Sequence, residues 1–254
     1  MPKSDDPTRV VQVINPNGVS NVVLVCEHAS NVIPAEFDGL GLGPADLQSH
    51  VAWDPGALAV SCAMSSALGA RLVAGCVSRL VFDCNRPPGA PDAMPRRSEI
   101  VEIPGNQDLS GAEKASRVAC YYDPFRHTLA EVLAATKHPI IVTIHSFTPV
   151  YDGQYRNVEI GVLHDTDARL ADAMLHSNSA PIRFNIQRNQ PYGPDQGVTH
   201  TLKEHGLSNG HLNVMLEIRN DLIRTPDQQA EIAEILIGWI NVALADVAAK
   251  VPAQ

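Results

Sequence analysis

The sequence predicts an α/β sandwich around a mixed, mostly parallel sheet. Strands and helices alternate along most of the chain, the order that α/β layering requires. Three near-continuous apolar runs, VVLVC from Val22, PIIVTI from Pro139 and LNVML from Leu212, read as strands buried on both faces. Each ends in residues that carry chemistry: Glu27-His28, His145-Ser146, and Glu217 with Arg219 and Asn220. Ligands of open α/β sheets bind beyond the carboxyl ends of the strands, so these three ends define one candidate site.

Taken in order, residues 1–9 are polar and are expected to fray. Val10–Ile14 reads as a short strand, and Asn15–Gly18 (NPNG) as a turn in which Gly18 supplies the permissive φ. The Val22 strand follows, then a Gly- and Pro-rich stretch to Gly43 and one or two helical turns over Pro44–His50. Asp54-Pro55-Gly56 opens a helix to about Leu68, with Asp as the cap and Pro in the first turn. Arg71–Gly75 and Arg79–Asp83 read as strands, and Gly89–Gly105 as a long loop whose length marks it as a candidate lid. Gly111–Lys137 has helical spacing interrupted at Pro124. After the His145 strand come a polar loop, a strand over Val158–Leu163, a helix over Asp167–His176 and a short strand over Ile182–Ile186. A loop (Asn189–Gly197), a short helix (Thr199–His205) and the Glu217 strand lead to a last helix. It runs from Asp227 to about Lys250, capped by Thr225-Pro226, with Ile232, Ile235, Leu236, Trp239 and Ile240 on one face. No internal repeat or linker divides the chain, so one domain over 1–254 is expected.

Composition excludes several function classes. The chain of 254 residues is 44% hydrophobic and carries a net charge of −9, opposite in sign to what a phosphate backbone attracts; no nucleic-acid partner is expected. The polar start MPKSDDPTRV lacks the apolar core of a signal peptide. No run approaches the roughly 20 apolar residues of a membrane span. The five cysteines form no CxxC pair, so they read as free thiols of a reducing cytoplasm. There is no G-x-G-x-x-G, no P-loop, and neither Ser30 nor Ser146 sits in a G-x-S-x-G elbow, which argues against a serine nucleophile.

His28 and His145 are the leading metal-ligand candidates, since neutral imidazole at a strand end is a common zinc ligand. A catalytic zinc takes a third protein ligand, to be drawn from Glu27, Asp54 or Glu217. Glu27 and His28 are adjacent in an extended segment and point to opposite sides, which disfavours both on one ion. Asp54 reaches the site from a separate loop, although it also reads as a helix cap. Glu217, desolvated at its strand end, suits a general base. Arg86 and Arg219 are candidate carboxylate binders, with Asn85 as an added donor and Arg79 as a further guanidinium. The competing reading is that these arginines balance Asp83 and Glu217. His164-Asp165 reads as a strand-to-helix cap, and His127, a turn after Pro124, as a packed residue or one aimed at the site.

The segments CEHASNVIP, HVAWDPGA, SRLVFDCNRPP, TIHSFTP and LEIRNDLI, in this order and spacing, resemble the N-formylglutamate amidohydrolase family over about Val22–Ile223. The resemblance implies a three-layer α/β/α sandwich of phosphorylase/hydrolase-like form, related to the zinc carboxypeptidases and aspartoacylases. It implies metal-dependent hydrolysis of the amide of a small N-acyl amino acid such as N-formyl-L-glutamate, with one Zn2+ per chain. Carried over by motif, the metal ligands fall on His28, Asp54 and His145, the general base on Glu217, and the D-x-N-R-P-P segment on Asp83, Asn85 and Arg86. Glu27 in CEHAS and Arg219 in EIRND depart from the commoner family pattern and mark a divergent branch. Two other readings remain: a carboxypeptidase-like or peptidoglycan-type amidase acting on a larger peptide, and a metal- and ligand-binding protein without turnover.

Overall fold

A computed structural model of the chain describes residues 9–177 and 180–250; most of the N-terminal stretch expected to fray lies outside the described residues. Seven strands form the main sheet: β1 (Val11–Ile14), β2 (Val22–Cys26), β3 (Arg71–Gly75), β4 (Ile140–Phe147), β5 (Ile160–Leu163), β6 (Ile186–Arg188) and β7 (Asn213–Arg219). Their spatial order is β1-β3-β2-β4-β7-β5-β6. Strands β3, β2, β4 and β7 run parallel; β1 pairs antiparallel with β3, and β5 antiparallel with β7. Every residue of β2, β4 and β7 is buried, which is why these strands read as continuous apolar runs rather than alternating ones.

Helices cover both faces. On one lie α1 (Ala57–Leu68), α4 (Arg169–His176) and α5 (Pro226–Lys250), packed on Leu24, Val142, Ile144, Leu216 and Ile218. On the other lies α3 (Asp123–Ala134), whose Phe125 and Leu129 meet Val23, Val25, Ile141 and Met215. Burying each such side chain contributes about 1.5–3 kcal/mol, so the alternation of even and odd residues of β4 and β7 between the faces fixes their register. Helix α5 is, by length and composition, apolar enough to cross a membrane over Pro226–Ala249, contrary to the sequence expectation. Its Ile232, Leu236, Trp239 and Ile240 instead fill the core against α1 and α4, and Trp239 Nε1 donates to the Met174 carbonyl at 2.7 Å.

The expected strand over Arg79–Asp83 is a chain of turns. Its apolar residues are buried, but in a separate cluster beside the sheet, with Leu40, Val51, Ile103 and Tyr121. Ser78 starts the turn: its hydroxyl donates to the Ala52 carbonyl and its own carbonyl accepts from Val81 N–H. Burial without a ladder looks the same as a strand in a five-residue window. The strand expected over Ile182–Ile186 lies later, at Ile186–Arg188. At the first turn Asn15 (φ 52°), not Gly18, adopts the left-handed conformation. As expected, the helix restarts at Pro124: α2 (Gly111–Arg117) passes through a wide turn at Val118–Tyr122 into α3, which begins at Asp123 with Pro124 in its first turn, where proline is tolerated.

Asp54 is not a helix cap. The cap position of α1 is Gly56, at φ 84°, where a Cβ would strike the Ile223 carbonyl oxygen. Glycine there lets the chain turn between Asp54 and α1, which releases the Asp54 carboxylate to point elsewhere.

Candidate metal centre and active site

Parallel β2, β4 and β7 are neighbours, so their carboxyl ends open on one edge of the sheet. Beyond β2 the chain turns at Glu27-His28, close against Gly75 at the end of β3; any Cβ on Gly75 would overlap the Glu27 carbonyl oxygen. In the paired strands His145 and Glu217 are in register, and register partners point to the same face. Asp54 joins them because its N–H donates to the His28 carbonyl at 2.9 Å.

The result is a buried triad. Asp54 Oδ2 lies 3.0 Å from His145 Nδ1 and 3.4 Å from His28 Nδ1, and the two Nδ1 atoms are 3.2 Å apart. Donors about 2.0–2.2 Å from a tetrahedral ion stand about 3.3 Å from one another, so the triangle matches three corners of such a site. Two imidazoles and a carboxylate, all buried, form a group that could hold a metal ion.

The outer nitrogens explain the choice of Nδ1. His28 Nε2–H donates to Asp83 Oδ1 at 2.7 Å, which leaves the Nδ1 lone pair facing Asp54 and His145. His145 Nε2 approaches Glu27 Oε2 to 3.1 Å, an ion-pair contact outside hydrogen-bond alignment. A carboxylate behind each imidazole fixes ring orientation and raises ligand basicity. Neither role was read from the sequence. The sequence offers Glu27 as a possible third ligand and Asp83 as part of a motif, and neither reading anticipates a carboxylate behind an imidazole.

Electrostatics reinforce the triad. Burial disfavours the charged form of Asp54, but His28 and His145 outweigh it and hold the carboxyl well below the usual range; Ser146 N–H adds a hydrogen bond at 3.2 Å. Burial and Arg79 lower the affinity of His28 for a proton, while Asp83 and Asp54 more than restore it, so its pKa is raised. Glu217 behaves oppositely. Burial, opposed by His145 and assisted by Asp54, pushes its carboxyl up to about 7. Its Oε2 is buried with no hydrogen-bond partner among the described residues. A buried, unpaired carboxylate oxygen is rare enough in folded proteins to need a reason, and its place beside His145 supplies one.

A cavity of about 250 Å³ stands over this floor. His28, Asp54, His145, Glu217, Asn85, Arg86 and Arg79 all line it. Arg219 does not: it donates to Asp221 at 2.8 Å, to the Arg156 carbonyl at 3.2 Å and to Glu159 at 3.3 Å. Arg79 bridges Asp83 (2.8 Å) and Asp54 (3.5 Å) and so braces the two carboxylates. Asn85 spends its carbonyl on Thr201 N–H and one amide hydrogen on the Val198 carbonyl, which ties the 198–201 segment to the site. Arg86 gives Nε to Asp92 and Nη1 to the Asn85 and Gly197 carbonyls; Nη2 has no partner among the described residues. His127 is exposed, beside Glu131, neither packed nor near the cavity. His164-Asp165 is a junction: Asp165 accepts from Thr199 Oγ1 at 2.6 Å.

The Gly89–Gly105 loop forms part of the wall. It carries a small hairpin, Arg97–Ser98 with Val101–Glu102, and Ile103 is fully buried beneath it. At the hairpin tip Glu99 takes a left-handed conformation (φ 53°), uncommon for a non-glycine residue. One oxygen accepts from His50 Nε2 at 2.9 Å and the other from Asp152 N–H at 2.9 Å. The loop is thereby clasped to both sides of the entrance, where Ser98, His50 and Tyr151 line the cavity.

The sequence model of the N-formylglutamate amidohydrolase family matches residues 20–224. The crystal structure of gene product Atu2144 from Agrobacterium tumefaciens is 50% identical to this chain, with a TM-score of 0.93 over 96% of this chain and 98% of that one. The crystal structure of N-formylglutamate amidohydrolase from Ralstonia eutropha JMP134 shares the fold at 18% identity, with a TM-score of 0.64 over 95% of this chain and 99% of that one. No curated protein matches the chain in sequence. A family match over most of the chain, with the ordered motifs gathered at one sheet edge, leads to one conclusion: the chain belongs to the N-formylglutamate amidohydrolase family.

Proposed function

We propose that the protein is a metal-dependent hydrolase of a small N-acyl amino acid, with N-formyl-L-glutamate as the first substrate to test. The observation that carries the reading is the juxtaposition of the His28–Asp54–His145 donor triangle with the buried, unpaired Glu217 on the floor of one small cavity. His28 Nδ1, His145 Nδ1 and Asp54 Oδ2 would hold the ion, for which the donor set favours Zn2+. A divalent ion there would polarise an amide carbonyl and acidify a water molecule. Glu217, with a pKa near 7, takes the proton from the attacking water and returns it to the leaving nitrogen as the C–N bond breaks. The products are the acyl group as its carboxylate and the free amino acid. Arg86, through its unengaged Nη2, suits the α-carboxylate of the substrate. Arg79 and Asn85 act as braces for the carboxylates and the 198–201 segment, while Arg219 stands outside the cavity.

Cavity size favours an acyl amino acid over a peptide. At about 250 Å³ it falls just below the roughly 300–1,000 Å³ of drug-sized ligand pockets, and the clasped Glu99 loop closes one side of what a peptide groove would leave open. The test is metal analysis of the purified protein with hydrolysis of a panel of N-formyl and N-acetyl amino acids, with and without chelator. About one zinc per chain and chelator-sensitive turnover are expected, and His145→Ala should lose both. A protein that takes up no metal on reconstitution refutes the assignment of the triad.

A further inference from the structure

Of the arginines around the cavity, Arg79 and Arg86 each have a carboxylate partner. Arg156, which packs against three lining rings, has none among the described residues, although the chain holds 28 acidic side chains against 19 basic ones. Its guanidinium is held instead by aromatic faces. It lies 4.4 Å from the Tyr151 ring centroid, 4.9 Å from Tyr192 and 5.8 Å from Phe147, and Nη1 donates to Tyr192 Oη at 2.9 Å. All three rings line the cavity. Because Tyr192 Oη accepts from Arg156, its own hydrogen is free to donate. The outcome is a guanidinium, fixed in direction by stacking, beside a phenol hydrogen, on three rings that line the same cavity as His28, Asp54 and His145. Stacked, half-buried arginines lose little freedom on binding a planar anion, and carboxylate is the anion whose geometry the fork matches.

We propose that Arg156 and Tyr192 form a second carboxylate-recognition site at this cavity. It reads the carboxylate on the side chain of the substrate, while the α-carboxylate lies at Arg86. The proposal rests on the hydrolase reading above and names its selectivity: acyl derivatives of dicarboxylic amino acids over their neutral isosteres.

The test compares N-formyl-L-glutamate with N-formyl-L-glutamine, which differ in this one charge. In Arg156→Gln the ratio of the two kcat/KM values should fall roughly 10- to 100-fold, as expected for loss of a charge-assisted pair, with the metal content of the wild type. Arg156→Lys should recover part of the ratio, since it keeps the charge and loses the fork. A ratio that stays at its wild-type value overturns the proposal. Calorimetric binding of glutarate gives a readout independent of turnover. Glutarate binding that is lost in Arg156→Gln supports the site even where the protein hydrolyses neither substrate, which separates failure of this inference from failure of the hydrolase reading. Equal binding by wild type and variant, or none by either, overturns it.

Discussion

Replacing Glu217 with glutamine should make the protein inactive and more stable at once. The carboxyl titrates at about 7 in the folded chain against 4.5 for an ordinary glutamate. A folded pKa raised above the unfolded one means that the native state binds more protons between these values. Stability contributed by this group is therefore greatest below about pH 4.5 and is lost as pH rises through about 7. The gap corresponds to about 3 kcal/mol, and the residue is 5% exposed, so solvent screening takes little from it. Glutamine keeps the shape and never ionises. At pH 8 the metal-free variant should be more stable than wild type by about 3 kcal/mol, or roughly 6–10 °C in Tm, and near pH 5 the difference should shrink toward zero. Urea unfolding of both chelated proteins at the two pH values reads the first effect, and turnover by the metal-loaded proteins reads the second. Equal stability at pH 8 would mean that Glu217 is not held desolvated. Wild-type turnover by the variant would remove it from the chemistry.

Three further outcomes follow from the same geometry. Asp83→Asn and Glu27→Gln each weaken one carboxylate behind a ligand imidazole, and each should lower metal affinity by roughly 10- to 100-fold in a competition titration with a fluorescent chelator; unchanged affinity in both would show that the imidazoles need no support. Gly75→Ala pushes a methyl group into the Glu27 carbonyl and should destabilise the fold by about 1–3 kcal/mol, with a matching fall in metal content, both measured against Gly89→Ala, where a Cβ meets nothing. His205, buried and held down to about 4 chiefly by desolvation, binds protons more readily unfolded, so stability should decline as pH falls from about 6.5 toward 4; His205→Gln should flatten that part of the curve.

How much was legible depended on whether a feature was local. Strands β2, β4 and β7 announce themselves because burial on both faces leaves an unbroken apolar run, and their polar ends pointed to His28, His145 and Glu217. Long-range partners left no such trace. Whether Asp54 caps a helix or joins His28 and His145 is decided by Gly56 turning against Ile223, a contact 167 positions away in the chain. Arg79–Asp83 carries the pattern of a strand because its side chains are buried, yet its neighbours come from another cluster rather than from a ladder. Arginines are the least legible. Arg219 and Arg156 are equally plausible anion binders as letters, and only their partners distinguish them: two carboxylates for one, three aromatic rings for the other.

The cluster of Leu40, Val51, Leu80, Phe82, Ile103 and Tyr121 has a consequence for how such a chain can diverge. His145 and Glu217 ride on strands whose packing is fixed by the main sheet, whereas the hairpin around Glu99 and the wall near Arg86 rest on this smaller apolar nucleus. Changes of length or sequence in that wall are absorbed by its own nucleus and need not propagate into β4 or β7. The Arg86 side of the cavity and its His145–Glu217 floor are thus packed in separate parts of one molecule, so on the proposed reading the α-carboxylate wall can drift while the floor, and the Arg156–Tyr192 pair seated on Phe147, are held.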